Sequence, residues 1–404
     1  MATDLTCRRW TDCGMTTDSW RRVWRSLGVI AAMLGSQSLV AALPRPGHAL
    51  MLLPSEGAIA GLGDGLRRGF LLAQEQSRLC SDKQTDWSIG WLSPGADLTE
   101  KLRHRALPPL LVAPPAAALV PTGLLAERRH RQVLLPLQRG ISLQQLASRP
   151  GSDRLWPVSA SRSLEIDVLV KALLEQKRLK FMLITDGTAD QQQLADRFLE
   201  TMGNQGGELI GLEPSARIIS GDDTKAVEQL AFDVDWFRPL ALVVMTSENS
   251  SLMQEILKQR WPETMQLVWN VSPRHSTPTS QLGVDEANRG PGWDNFSGSF
   301  KKRFGYEPGM IEASGYDAGQ LVALSVMNQS LSVGQGMKSF DSEASIEPYC
   351  KALSLAASGK GTRTNGASSN MDMKAATPPT AILEVIQKDA NGVESRTTYN
   401  LGAN

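Results

Sequence analysis

The stretch ALMLLPSEGAIAGLGDGLRRGFLLAQ, residues 49–74, decides the fold class. Residues 49–53 form a continuous apolar run, the pattern of a strand buried on both faces. Residues 61–76 then place apolar side chains at helical spacing. A glycine cluster at Gly57, Gly61, Gly63 and Gly65 joins the two, so the phosphate-loop patterns are the first test. GxGxxG fails in both registers, because Leu66 or Arg68 stands at the last position, and GxxxxGK[ST] is absent. The helix start still presents free N–H groups and a positive dipole end, which suit an anion or carboxylate without requiring a nucleotide.

Outward from this unit the alternation continues. Strands are expected at 87–92, 110–113 and 133–137, with helical stretches at 98–105 and 116–131. After the Pro/Ser/Gly/Asp-rich segment 149–161 the pattern restarts. Strands at 180–185, 208–212, 240–246 and 265–271 alternate with helices at 163–177, 190–204, 222–237 and 250–261. Ser163 reads as an N-cap, and Asp222 and Asp223 as a helix start. Residues 272–293 read as loop, followed by helices at 294–304 and 311–330. Residues 354–374 read as a Gly/Ser/Thr-rich tail, and 381–388 with 394–401 as a hairpin around Asn391-Gly392. Buried strands alternating with helices imply right-handed βαβ units, so the fold class is α/β with two successive Rossmann-like lobes and open, mostly parallel sheets.

The 404 residues carry 42 basic and 42 acidic side chains, so the chain lacks the basic surplus that nucleic-acid binding requires. Arg21, Arg22 and Arg25 precede a mostly apolar run at 27–43, and small residues follow at Ala42 and Ala49. This is the layout of a signal peptide over 1–49, cleaved after Ala42 or Ala49, with Met1 or Met15 as start and an uncleaved membrane anchor as the alternative. The expected location is periplasmic. Cys7 and Cys13 lie ahead of the apolar run; Cys80 and Cys350 follow it and read either as one disulfide or as two free thiols.

Catalytic signatures are absent. GxSxG, HExxH and an SxxK beside a helix start are all missing. His104 and His130 sit in basic surface stretches, and His275 has no neighbouring Cys or His. The ten tryptophans read as core, with Trp269 singled out because it ends a strand near a chain crossing. No cofactor or metal is implied, and an exported enzyme is the least supported reading.

Three blocks in order resemble type I periplasmic binding proteins, the branched-chain amino acid binding components of ABC transporters, with their leucine-binding domain. They are the opening stretch from Met51, the segment FSGSFKKRFGYEP (296–308) with ASGYDAGQL (313–321), and GASSNMDM (366–373). The resemblance implies a periplasmic binding protein-like I fold: two lobes joined by a three-crossing hinge, with crossings near 158–161, 271–274 and 332–338. Lobe 1 then comprises 50–158 with 274–332, and lobe 2 comprises 159–273 with 333–404. It also implies a monomer that binds a small polar ligand (amino-acid-like, amide or carboxylate) in the cleft and delivers it to an ABC permease in the inner membrane. Candidate ligand residues, at the carboxyl ends of expected strands, are Ser55, Glu56, Ala116, Ala117, Arg139, Gly140, Asp186, Thr188, Ser247, Glu248 and Asn270.

Departures bear on the ligand. Carboxylate-binding hydroxyls of the family's first-lobe loops are missing from Pro114-Pro115-Ala116-Ala117, and only Ser142 remains in the second loop. Val271 stands where the family has an acidic clamp for an α-amino group, which makes a free amino acid a poor fit. Arg139 is expected to receive an anionic group. The opening motif is also similar to outer-membrane activators of penicillin-binding proteins, so the alternative reading is a protein-interaction module on the same fold.

Overall fold

The computed structural model describes residues 49–400, apart from 58, 82–84, 94–95, 97, 104–105, 116, 274–276, 286–288, 329–336 and 338–342. The signal-like segment, Ala116, His104 and His275 lie outside the described residues, as does nearly all of the crossing expected at 332–338.

The first sheet holds β1 (Ala49–Pro54), β2 (Trp87–Leu92), β3 (Leu110–Val112), β4 (Gln132–Leu135) and β5 (Leu155–Pro157). They pair in parallel, in the order β2-β1-β3-β4-β5. Helices α1 (Ala60–Cys80), α2 (Leu98–Lys101) and α3 (Leu119–Arg129) connect the early strands. The 3-10 helices Ile141–Ser148 and Ser152–Arg154 lead into β5. Every residue of β1 is buried, and alternate side chains enter different cores: Met51 and Leu53 join one face, Leu50 and Leu52 the other. Full burial of each leucine contributes about 1.5–3 kcal/mol.

The second unit begins with α4 (Arg162–Glu175), capped by Ser161, whose hydroxyl accepts from Ser163 N. The cap therefore lies two residues before the expected one. β6 (Lys180–Thr185), α5 (Ala189–Asn204), β7 (Glu208–Leu209), β8 (Arg217–Ile218), α6 (Thr224–Phe237), β9 (Ala241–Met245), α7 (Ser251–Lys258), β10 (Gln266–Trp269) and β11 (Gln281–Val284) follow. Asp223 caps α6 through Ala226 N, as its position in the acidic pair suggests. The parallel strands run β7-β6-β9-β10-β11, the same winding as the first sheet. β11 is thus the fifth parallel strand, the counterpart of β5, and it lies in the segment read as loop. The run of Pro, Ser and Thr before it hides a four-residue strand buried throughout.

The chain then passes to α8 (Trp293–Phe304), α9 (Met310–Met327) and α10 (Tyr349–Ala357), which pack on the first lobe's cores. It returns to the second sheet as the antiparallel hairpin β12 (Ile382–Lys388) and β13 (Glu394–Asn400). The boundaries expected at 273/274 and 332/333 therefore differ from the observed sheet membership. Gln281–Val284 belongs to the second sheet, and Tyr349–Ala357 packs with the first. Cys80 at the end of α1 and Cys350 in α10 form a disulfide with Cα atoms 5.0 Å apart. Among the described residues, no helix is long and apolar enough to cross a membrane.

Gly63, Gly65 and Gly69 of the opening stretch serve packing. A Cβ on Gly69 would stand 1.8 Å from Glu312 O, and one on Gly315 would stand 2.1 Å from Leu66 O. Small residues on both helices let α1 and α9 meet backbone to backbone, and no bulkier side chain fits between them.

Candidate functional site

Three passages connect the lobes, and α9 organises them. The first, at 158–161, places Ser159 Oγ 2.7 Å from Ser314 Oγ. In the second, Gly290 N and Gly292 N donate to Ala367 O and Gly366 O of the third. Ser369 Oγ of the third donates to Val158 O of the first, at 2.8 Å. Beneath them the fully buried Asp317 carboxylate accepts from Ala367 N (2.6 Å), Ser368 N (2.8 Å) and Ser368 Oγ (2.7 Å). All three partners are neutral donors. Burial pushes its pKa up to about 6, and these hydrogen bonds pull only partly the other way.

Beside this hinge lies a cleft of about 480 Å³. Lobe 1 lines it with Leu137 and Arg139 after β4, and with Gly309, Met310 and Ile311 at the start of α9. Lobe 2 supplies Arg162 and Glu165 from the first turn of α4, Gln191 from α5, and Ser247, Glu248, Asn270, Val271 and Asp285 after β9, β10 and β11. Strand carboxyl ends converge here, as they do at ligand sites of open α/β sheets.

The electrostatics of the floor are specific. Glu165, 4% exposed, pairs with Arg139 of lobe 1 and, at 3.4 Å, with Arg162 beside it. Arg139 Nε also donates to Ala160 O at 3.1 Å. Arg139 therefore lines the cleft while already paired with a carboxylate of this chain. The buried Glu165 carboxylate needs a counter-charge, and Arg139, which is partly exposed, provides it together with Arg162. Asn270, 2% exposed, accepts from Thr246 N at 2.8 Å and donates to Gln191 Oε1 at 2.8 Å. Thr246 Oγ1 in turn donates to Asp186 Oδ2 at 2.9 Å. A buried amide chain thus fixes the ends of β6, β9 and β10.

Of the sequence-derived candidates, Arg139, Ser247, Glu248 and Asn270 line the cleft. Asp186 and Thr188 form a turn before α5, with Thr188 N donating to Asp186 Oδ1 at 3.0 Å. Ser55, exposed like Glu56, donates through Oγ to Leu92 O at 3.0 Å, closing the end of β1 on β2. Ala117 is buried among the aliphatic side chains on one face of the first sheet. Gly140 is exposed where it starts the Ile141–Ser148 helix. Neither Ser55, Glu56, Ala117, Gly140, Asp186 nor Thr188 is among the lining residues. Val271 does line the cleft, but Glu248 and Asp285 line it too, so a valine there does not leave the site without carboxylates. Trp269 is core: its Nε1 donates to Gln281 Oε1 at 3.0 Å.

Sequence reasoning missed Leu137, Arg162, Glu165, Gln191, Asp285 and the Gly309–Ile311 corner. The i,i+3 pair Arg162/Glu165 directly after the linker was the available signal. The corner follows Pro308, inside a motif that the resemblance marks only as fold-bearing. Among the described residues no group of three or more His, Cys, Asp or Glu is placed to hold a metal ion.

Two α/β units of like winding, joined by three passages with a cleft at the join, define a two-lobed binding fold. The fold is that of type I periplasmic binding proteins. A solute-binding protein of an ABC transporter from R. palustris, crystallised with benzoate, matches with a TM-score of 0.55 at 15% identity, over 88% of this chain and 95% of that one. A leucine-binding protein from Thermotoga maritima matches with 0.55 at 14% identity, over 88% and 99%. A branched-chain amino acid ABC transporter ligand-binding protein from Burkholderia xenovorans matches with 0.60 at 10%, over 87% and 95%. No protein-family model and no curated protein matches the sequence.

Proposed function

We propose that this chain is an exported, non-catalytic solute-binding protein that holds a small polar ligand between its lobes and presents it to an ABC permease. The observation that carries this reading is the open cleft between the lobes, lined by Arg139 and apolar side chains from lobe 1 and by hydrogen-bonding side chains from lobe 2. A ligand that touches both lobes favours the closed population, which a permease can read. The basic and apolar segment at 21–43 supports export to the periplasm. The solved structures that share the fold are named as solute-binding proteins, which agrees.

The test is a thermal-shift screen of the purified protein against amino acids, peptides, carboxylates and amides. A ligand at 100 times its Kd adds about 2.7 kcal/mol of stability. Small-angle scattering of the hit complex should show a smaller radius of gyration than the free protein. Absence of any shift across all classes overturns the reading.

A second reading, a protein-interaction module, draws on one observation. Phe232 and Trp236, 70% and 81% exposed, stand one turn apart on the outer face of α6. Retention of an envelope protein on the wild type but not on Phe232→Ser/Trp236→Ser, with an empty ligand screen, would favour it.

A further inference from the structure

The basic stretches at 98–105 and 126–131 take no part in the cleft. Together they hold six Lys/Arg and two Glu, in a chain whose residues 49–404 carry 36 basic and 39 acidic side chains. The fold brings the two stretches into contact. Arg129, at the end of α3, donates through Nη2 to Leu102 O at 3.3 Å and to Arg103 O, just past α2. Lys101, Arg103, Arg128 and His130 are exposed around this contact, and Arg129 and Arg131 are half-buried.

Among the described residues, no carboxylate forms an ion pair with any of these side chains. Burial and the neighbouring Arg129 charge push the Arg131 pKa down, which marks cations crowded without a counter-charge. Cations in the last turn of α3 complement the helix dipole. That accounts for Arg128 and Arg129 and not for Arg103 and Arg131, which lie beyond the helix ends.

The cluster sits at the amino end of the first sheet. Register pairs Ala49 with Leu110 and Leu110 with Gln132, so β1 begins two strands, about 10 Å, from the residue that follows Arg131. Residues 44–48 separate β1 from the apolar run at 27–43, and they span at most about 20 Å. A bilayer that takes up that run therefore meets this edge of the lobe. The cleft lies at the carboxyl ends of the strands, so contact at the amino ends leaves it clear.

We propose that this surface is a membrane-docking site: Lys101, Arg103 and Arg128 rest on anionic phospholipid headgroups beside the point where the apolar run enters the bilayer. Each cation near an anionic leaflet adds to binding, and the attraction fades beyond a Debye length of about 8 Å at physiological salt. The proposal goes beyond the solute-binding reading and does not depend on it.

The experiment is flotation of the full chain with vesicles of phosphatidylcholine alone or of phosphatidylcholine mixed equally with phosphatidylglycerol. The wild type should bind the anionic vesicles about tenfold or more tightly than the neutral ones, with the difference shrinking as salt is raised. Lys101→Glu/Arg103→Glu/Arg128→Glu should lose most of that difference while melting as the wild type does, since all three side chains are exposed. Lys225→Glu/Lys302→Glu/Lys360→Glu makes the same change in net charge on exposed residues elsewhere and should keep it. All three proteins retain residues 1–48, so binding by that segment is common to them. An anionic preference undiminished in the first variant overturns the proposal, as does an equal loss in the second, which would make net charge the cause. A wild type without anionic preference also overturns it and would leave the surface to an acidic protein. The thermal-shift screen decides the solute-binding reading separately.

Discussion

The two lobes share one winding and divide the work at the cleft unequally. In both, a first strand sits between the second and third, and parallel pairing continues to a fifth. Yet lobe 1 offers the cleft one charged side chain, Arg139, beside Leu137, Met310 and Ile311, whereas lobe 2 offers Arg162, Glu165, Gln191, Ser247, Glu248, Asn270 and Asp285. Identical topology places loops at the same edge in each unit; the side chains on those loops decide what they do. The polar side chains of the cleft are concentrated in lobe 2, and the lobe 1 lining is largely apolar. The internal supports differ as well. Lobe 1 is tied by a disulfide and by the close seam of α1 with α9, while lobe 2 extends its sheet with an antiparallel hairpin.

The strongest way to break this contrast is to remove the staple of lobe 1. Cys80→Ser/Cys350→Ser opens a loop of sequence separation 270 and should cost about 3–4 kcal/mol in urea unfolding. The loss should fall on lobe 1 helices in hydrogen exchange. Glu165→Gln comes next, because it leaves Arg139 and Arg162 facing each other without a counter-charge. Both arginines keep some contact with water, so the expected loss is about 2–3 kcal/mol, less than for a fully buried pair. Loss of stability below 0.5 kcal/mol would show that the pair does not bridge the lobes. Gly69→Ala forces α1 from α9 and should cost about 2 kcal/mol, against almost nothing for Gly61→Ala, where a Cβ meets open space.

The smallest effect concerns the hinge. Asp317 has a pKa near 6 in the folded chain, above the ordinary carboxylate value of 3.8. Between those values the folded state binds the proton and the unfolded state does not. Stability therefore rises as pH falls through 6 and is lost as pH climbs back through it, by about 1 kcal/mol between pH 8 and pH 5. Urea unfolding at several pH values should show this slope in the wild type and a flatter one in Asp317→Asn. The same slope in both would remove Asp317 as its source.

Much of the scaffold is legible in the residues. Continuous apolar runs identify β1, β6, β9 and β10, because strands covered on both faces leave no polar position to read. Asn391-Gly392 marks the closing hairpin, where Gly392 takes a φ of +79° that other residues resist. β11 escapes notice because a four-residue strand among Pro, Ser and Thr has too little periodicity to stand out. The glycine cluster invites a test for anions, and two of its members, Gly63 and Gly65, prove to be packing residues: spacing alone does not say whether a small residue faces a ligand or a neighbouring element.

The site is less legible. Ser247, Glu248 and Asn270 can be reached by counting to strand ends. Glu165 and Gln191 cannot, since they lie on helices and become cleft residues only when the lobes meet. Arg139 shows the same limit from the other side. A lone arginine on a loop reads as unpaired until folding places Glu165 against it.

By itself the sequence determined the α/β alternation, its restart after residue 149 and the hairpin, because burial periodicity and turn chemistry are local. Only the tertiary structure decided which lobe β11 and α10 join, that Cys80 meets Cys350, and that Asp317 ties the hinge. Those outcomes depend on contacts between residues tens to hundreds of positions apart, and chain order does not encode the distances that select them.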